Sequence, residues 1–462
     1  MQSTVKMDGA TNENDGLPVR QRRLVMCCVL LGVLLSNLDS AIANIALPTI
    51  ARQLATSDAA AVWVVNGYQL AAAVCLLPAA ALGEILGHKR VYATGLIVFM
   101  LGSLCCAIAH SLGFLVGARV LQGVGGACAA ALGPAVLREI YPRRLIGSGF
   151  ALIALTVAMA GALGPTVAAL ILSVASWPWL FLVNLPVCLV AVPLFIAVAP
   201  HSRRMPRPFD LPGALLNAMA LGLLVVGVDI MGGHTRPAIW ALTGGLVSLV
   251  VLVWHQTRRT TPLLPLDLLR IPIVALSAAT SVCSYAAQIL AYISLPFFLQ
   301  TELHRSAVET GLLVTPWPLL VAFAAPIAGP LSTRYSASIL GSIGLVVLTF
   351  GLLLLAMLPS SPTNWEVALR MAICGAGFGF FQTPNNTTLM TAGPAARSGA
   401  AGGLVAVART VGWCLGSALV TMIFQLALPQ KTTLCLEMAA AFAAIGALAS
   451  GARGFQRKRR IA

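Results

Sequence analysis

Leu38-Asp39-Ser40-Ala41-Ile42-Ala43-Asn44-Ile45-Ala46-Leu47-Pro48 closes an apolar run that begins near Leu24. The run is long enough to cross roughly 30 Å of hydrocarbon as a helix, and it carries a carboxylate. A charged side chain at the centre of such a span costs about 2.5–3.5 kcal/mol on insertion scales, so an acid there is retained where it faces a cavity or a partner. Asp39 is therefore the first functional candidate.

Working outward, the same kind of run recurs along the whole chain. Of 462 residues, 58% are hydrophobic and 9% charged, with a mean hydropathy of +0.90. A soluble globule would be roughly a quarter charged. Apolar stretches of about 17–25 residues read as spanning helices, whereas a barrel would alternate apolar and polar residues in segments of about ten. The chain is expected to be an all-α polytopic membrane protein.

The net charge of +15 suggests a nucleic-acid partner until the positions are examined. Of the 29 Lys and Arg, 22 fall in the two termini and alternate loops, 4 in the opposite loops and 3 inside spans. That asymmetry is the positive-inside bias. It predicts a multi-pass protein with both termini cytoplasmic, and no nucleic-acid partner. The eleven cysteines are single or adjacent, without C-x-x-C spacing, and read as small packing residues. The six histidines form no metal-binding pair, so neither a metal nor a cofactor is expected. The first 23 residues are polar and end in Arg20, Arg22 and Arg23; the apolar segment after them is long enough to stay as a helix rather than be cleaved.

Fourteen spans are predicted: 24–47, 60–82, 91–110, 113–136, 148–172, 178–199, 211–231, 237–255, 272–299, 308–330, 337–358, 366–390, 400–427 and 432–450. The stretches Pro200 to Pro212 and Thr257 to Pro272 read as linkers flanking a helix pair. The expected organisation is a tail at 1–23, a six-helix bundle at 24–199, a linker with two inserted spans at 200–271, a second bundle at 272–450 and a basic tail at 451–462. Internal similarity favours that division. Ala118-Arg119 with Gly123, Gly125, Gly126 and Pro134 parallels Leu369-Arg370 with Gly375, Gly377, Gly379 and Pro384. Gly161 to Pro165 parallels Gly412 to Gly416, and Gly83 to Arg90 is echoed by Gly329 to Tyr335.

Four motifs carry a resemblance to a known family: Leu38-Asp39 through Pro48, Leu82 through Lys89, Arg119-Val-Leu-Gln122-Gly123, and Gly161 through Gly164-Pro165. Over about residues 24–450 the chain resembles the fourteen-span drug:proton antiporters of the major facilitator superfamily (EmrB/QacA type), and among them the YebQ-type transporters. The resemblance implies a major facilitator fold of two six-helix bundles plus two inserted helices. It also implies a conformational-switch role for Glu84, Gly87, Lys89 and Arg90, and an antiporter motif at Gly161, Gly164 and Pro165. The chain departs from the family pattern at Ala80, Glu84 and Ile85, and at Ala168-Ala169.

Asp39 and Arg119 run on antiparallel spans at similar depth, at about 1.5 Å per residue. Burial favours a protonated carboxyl and a neighbouring guanidinium favours the carboxylate, so a site that moves between the two environments can take up and release a proton. Asp39 is read as the proton carrier or the cation-binding acid and Arg119 as its modulator, the alternative being a structural ion pair. The small residues Gly161 and Gly164 and the missing N–H of Pro165 suit close packing and bending. Asn44, Tyr68, Gln69, Tyr285, Gln288, Tyr292, Gln382, Asn385 and Asn386 are candidates for the substrate path, in a cavity suited to lipophilic cations or neutral compounds. Asp229 and Glu437 read as interfacial acids reaching water, and Arg409 has no acid near it in sequence.

Four lysines complete no phosphate-binding loop, and no nucleophile, base and orienting acid are arranged as an enzyme site requires. The chain therefore reads as a secondary transporter, not an enzyme. Its partners are protons, a small-molecule substrate and the lipid bilayer, and its expected activity is proton-coupled efflux of hydrophobic or cationic drugs. The alternatives are export of an endogenous metabolite or natural product, and a non-transporting membrane sensor on the same fold.

Overall fold

The computed structural model describes residues 16–202, 204–205, 208–259, 262–393, 398–426 and 428–461, and every regular element among them is a helix. The first fifteen residues of the expected N-terminal tail lie outside the described residues, as do Arg203, Arg207 and Arg397 and the side chains of Arg457, Lys458, Arg459 and Arg460.

Thirteen described helices are long and apolar enough to cross a membrane. The first six are α1 (Val19–Gln53), α2 (Asp58–Leu86), α3 (His88–Ala107), α4 (Leu112–Ile140), α5 (Ile146–Val174) and α6 (Trp179–Val198). Next come α7 (Leu211–Gly232) and α8 (Thr235–Thr257), then α9 (Pro272–Glu302), α10 (Ala307–Ser332) and α11 (Ala337–Ala356). After α12 (Asn364–Thr391), the last two are α13 (Ser398–Gln425) and α14 (Lys431–Ile461). With 28 residues α12 is as long as its neighbours, but Glu366, Arg370, Asn385 and Asn386 make it less apolar. Its place is set by packing against α10 and α11.

Several helices outrun their apolar cores. The 35 residues of α1 span about 52 Å, against the 24 residues that hydropathy marks. Backbone hydrogen bonding continues into the headgroup region, where polar side chains stay solvated, so a hydropathy window sees only the middle of the helix.

Helices α1 to α6 pack on one another, and so do α9 to α14. Glycine sets the closest approaches, and it does so in the same way in both sets. A Cβ on Gly123 of α4 would press into the Tyr68 carbonyl oxygen of α2; one on Gly375 of α12 would meet the Trp317 carbonyl oxygen of α10. Gly87, at φ 97°, breaks the chain between α2 and α3 in a conformation that L side chains rarely adopt.

The pair α7 and α8 forms a hairpin whose first helix lies against α2 and α13, one from each set. Asp210 anchors it: its carboxylate caps α7 by accepting from the Gly213 N–H at 3.1 Å and takes hydrogen bonds from Gln256 at 2.8 Å and His255 at 2.9 Å on α8. Burial alone would push this carboxyl up, but those bonds and the His255 charge hold it below its ordinary value.

Candidate functional site

The two spans that carry Asp39 and Arg119 bring them into contact. Arg119 Nη1 pairs with Asp39 Oδ2, and both side chains are 1% exposed. The pair is the centre of a buried network rather than an isolated bridge. Asp39 Oδ1 accepts from Gln122 Nε2 at 2.8 Å and from Asn184 Nδ2 at 3.0 Å. Ser103 Oγ accepts from the same Gln122 and Asn184 nitrogens at 2.8 and 3.3 Å. The guanidinium also donates to the Val64 carbonyl at 2.9 Å and to Gln122 Oε1 at 2.6 Å, and stacks 4.5 Å from the Tyr68 ring and 5.5 Å from the Phe181 ring. Five helices of one set, α1, α2, α3, α4 and α6, therefore contribute to one network around the Asp39 carboxylate. Gln122 lies in the quoted α4 motif; Ser103 and Asn184 carry no sequence signal, because single polar residues on spans are common and nothing local shows which of them meet.

The network sits behind the wall of a cavity of about 670 Å³ that lies between the two helix sets. Asn37 and Ser40, on either side of Asp39, line the cavity, and Asp39 points away from it. Of the substrate-path candidates, Asn44, Gln69, Tyr285, Gln288, Tyr292, Gln382 and Asn386 stand on the cavity wall. Tyr68 and Asn385 do not. Tyr68 lies under Arg119 with its hydroxyl 3.4 Å from the Ser36 carbonyl. Asn385 faces into the second set, where it bridges Ser281 at 2.8 Å and Arg453 at 2.7 Å. Among the cavity residues absent from the candidate list are Arg409 and Trp413, both on α13.

The cavity reaches from Asn44 and Tyr292, past the midpoints of α1 and α9, to the face where α1 begins, at Glu84, His88, Arg138 and Met390. At the opposite face the two sets are tied together. Gln300 Nε2 donates to the Ile45 carbonyl at 2.9 Å, Asn66 Nδ2 to Thr421 Oγ1 at 3.1 Å, and Lys431 Nζ meets Asp58 Oδ2 at 2.6 Å. Asp229 belongs to this closure, which corrects the expectation of an interfacial acid reaching water. It is 1% exposed, and accepts from Trp63 Nε1 at 3.0 Å and Asn66 Nδ2 at 3.3 Å, so the inserted hairpin helps to hold the closed end. The reason is that α7 stands on the seam between the sets rather than in the outer layer. Glu437 is exposed, as expected.

The turn at Gly87 also has its own arrangement. His88 Nδ1 meets Glu139 Oε1 of α4 at 2.7 Å, Ser202 Oγ donates to Glu139 Oε2 at 2.9 Å, and the Lys89 N–H donates to Ser202 Oγ at 3.0 Å. Lys89 Nζ caps the end of α6 through the Ala199 carbonyl at 2.6 Å, while Arg90 is exposed. Glu139, absent from the candidate list, is thus the acid that fastens the turn, and Glu84 stands on the cavity wall. On α5, Gly161 lines the cavity, Gly164 packs on Ala41 of α1, and the Pro165 carbonyl lies against Gly311 of α10 across the seam.

This architecture has known counterparts. The backbone is similar to that of a crystal structure of a mutant peptide transporter, POT, with a TM-score of 0.69 at 13% identity, covering 93% of this chain and 94% of that one. The chain is 45% identical over 445 residues to the uncharacterized transporter YebQ of Escherichia coli strain K12, covering 95% of this chain and 97% of YebQ. It is 28% identical over 408 residues to the riboflavin transporter RibZ of Clostridioides difficile strain 630, covering 88% and 89%. Multidrug resistance protein Stp of Mycobacterium tuberculosis strain CDC 1551 / Oshkosh is 32% identical over 409 residues, covering 86% and 75%. The Major Facilitator Superfamily model matches residues 29–417. With that match and the near full-length identity to YebQ added to the helix packing and the shared cavity, the chain is a transporter of the Major Facilitator Superfamily.

Proposed function

We propose that the protein exports hydrophobic, drug-like compounds in exchange for protons, by alternating access across a bacterial-type inner membrane with both termini in the cytoplasm. The observation that carries this reading is a cavity shared by two helix sets, closed at one face and reaching the other, with a buried acid and base directly behind its wall. Helices α1 to α6 (24–199) and α9 to α14 (272–450) act as the two moving bundles, with α12 as the fourteenth span. The hairpin of 200–271 rides on the seam.

In the conformation described, both Asp39 oxygens meet N–H donors from Arg119, Gln122 and Asn184, which leaves no acceptor for a carboxyl proton at those contacts. Rearrangement that draws Arg119 away leaves a desolvated carboxyl that binds a proton, and return of Arg119 expels it. Gly161 and Gly164 allow α5 to slide on α1 and α10, and the Gly87 turn with Glu84, Lys89 and Arg90 switches partners between the two states. The drug-like cargo draws support from the motif resemblance and from the relative named a multidrug resistance protein.

Proteoliposomes test the reading. Asp39→Asn abolishes substrate-stimulated proton movement and pH-gradient-driven accumulation. Because that change strands a buried guanidinium, at about 3–5 kcal/mol, the double variant Asp39→Asn with Arg119→Gln serves as the control that folds. Its expected behaviour is downhill exchange without coupling. Undiminished uphill transport in a folded double variant rejects the mechanism.

A second reading is favoured by one relative, named a riboflavin transporter: the cargo is an endogenous metabolite. Sensitivity of an efflux-deficient host to a compound panel separates the two. Drug protection by the wild type favours the first, and a metabolite secreted without any such protection favours the second.

A further inference from the structure

The proposed function leaves the sign of the cargo's charge open, and one residue decides it. Arg409 stands on the cavity wall within one turn of the midpoint of α13. No described carboxylate lies within ion-pair distance of it, and no described residue accepts a hydrogen bond from it. Its Nε is buried without a partner, and its guanidinium carbon lies 5.3 Å from the centre of the Trp413 ring. The other formally charged wall residues are placed differently. Glu84, Arg138 and His88 stand toward the face where α1 begins, and His88 is already engaged by Glu139. The acid at similar depth, Asp39, is turned into the first bundle and held by Arg119.

The arginines inside the predicted spans, Arg119, Arg370 and Arg409, have different environments, and Arg453 near the end of α14 donates to Ser277 and Asn385. Arg119 has its carboxylate, and Arg370 donates to the Leu354 carbonyl at 2.7 Å. Arg409 has an aromatic face and the cavity. A guanidinium is always ionised and offers a planar fork that matches a carboxylate or phosphate in two parallel hydrogen bonds. Holding it unpaired in a span is costly, and an anion entering the cavity removes that cost.

The wall around Arg409 is pre-arranged for a flat, partly aromatic body. Trp413 Nε1 donates to Gln288 Oε1 at 3.2 Å, Gln382 Nε2 donates to the Tyr285 hydroxyl at 2.9 Å, and the Tyr285 and Trp413 rings meet edge to face at 5.8 Å. These bonds fix the two rings before any ligand arrives. Across the cavity, Asn44 Oδ1 is buried without a partner.

Resting on the export function proposed above, we infer that the cargo is an organic anion, an aromatic or otherwise flat body with a carboxylate or phosphate that pairs with Arg409 while the ring lies against Trp413 and Tyr285. This departs from the expectation of lipophilic cations or neutral compounds, because Arg409 places a fixed positive charge on the wall. A cation at this depth meets an unneutralised guanidinium and is excluded by like-charge repulsion. Export of an anion against proton entry also moves positive charge inward on both counts, so an inside-negative membrane potential drives it.

Two dyes of the xanthene family test the inference with the full-length protein: carboxyfluorescein, an anion, and tetramethylrhodamine methyl ester, a cation. Binding to purified protein is read by dye anisotropy, and transport by accumulation in proteoliposomes under a pH gradient. The wild type is expected to bind carboxyfluorescein about tenfold or more tightly than the rhodamine. Arg409→Gln removes that preference without weakening rhodamine binding, and Arg409→Lys, which keeps the charge but not the fork, restores part of it. Gel filtration and circular dichroism establish that each variant is folded. Equal binding of the two dyes, binding of neither, or an anion preference that survives in folded Arg409→Gln overturns the inference. An Arg409-dependent anion preference without pH-driven accumulation supports it while rejecting proton coupling, so the two readings fail separately.

Discussion

Asp39 shows how much of a buried charge's behaviour belongs to its neighbours. Its carboxylate is satisfied by three side chains from two other helices, and each contact places it further from water. Asn184 is the most exposing test. Its amide donates to both Asp39 and Ser103, so Asn184→Leu leaves two buried acceptors short of a donor. The expected cost is about 1–3 kcal/mol, seen as a lower melting temperature in detergent. An unchanged melting temperature removes the role assigned to Asn184. Asp39 and Arg119 were both legible because charges stand out in apolar runs. Asn184 and Glu139 were not, since their partners lie on other helices at distances that sequence spacing does not encode.

Single elements are governed by how closely their backbones approach. In α4 the glycines divide into two kinds: a Cβ on Gly123 would press into the Tyr68 carbonyl, while one on Gly117 would meet nothing within 4 Å. Gly117→Ala is therefore expected to stabilise the helix by up to about 1 kcal/mol through propensity. Gly123→Ala forces α2 and α4 apart and costs about 1–3 kcal/mol. Thermal unfolding of the two variants gives opposite signs; a shared sign removes the role assigned to Gly123. The repeated spacing around Gly123 and Gly375 was legible, and the structure gives it a reason, since both glycines admit a neighbouring carbonyl oxygen. Helix ends were less legible, as at α1, because hydropathy stops at the headgroups and the helix does not.

At the scale of the whole molecule, the question is what holds one face shut. The ties are unequal. The Asp58 and Lys431 side chains are each about a quarter exposed, and such pairs contribute about 0–1 kcal/mol. Asp229 is buried and hydrogen-bonded to α2, whose Asn66 in turn reaches Thr421 of α13. Asp229→Leu is therefore expected to raise hydrogen–deuterium exchange at the closed ends of α2 and α13 by about tenfold or more, and Lys431→Gln by less than about threefold. Equal effects transfer the closure from the inserted hairpin to the surface pair.

The sequence by itself determined the membrane class, the all-helical architecture, the superfamily and the existence of an acid and a base in spans one and four, because apolarity, length and stray charges are properties of single segments. Tertiary structure alone decided which way each helix face turns. A span that is apolar all round carries little periodic signal of its orientation, and successive residues differ by about 100° around the axis. That rotation puts Asn37, Ser40 and Arg409 on the cavity wall and Asp39 behind it.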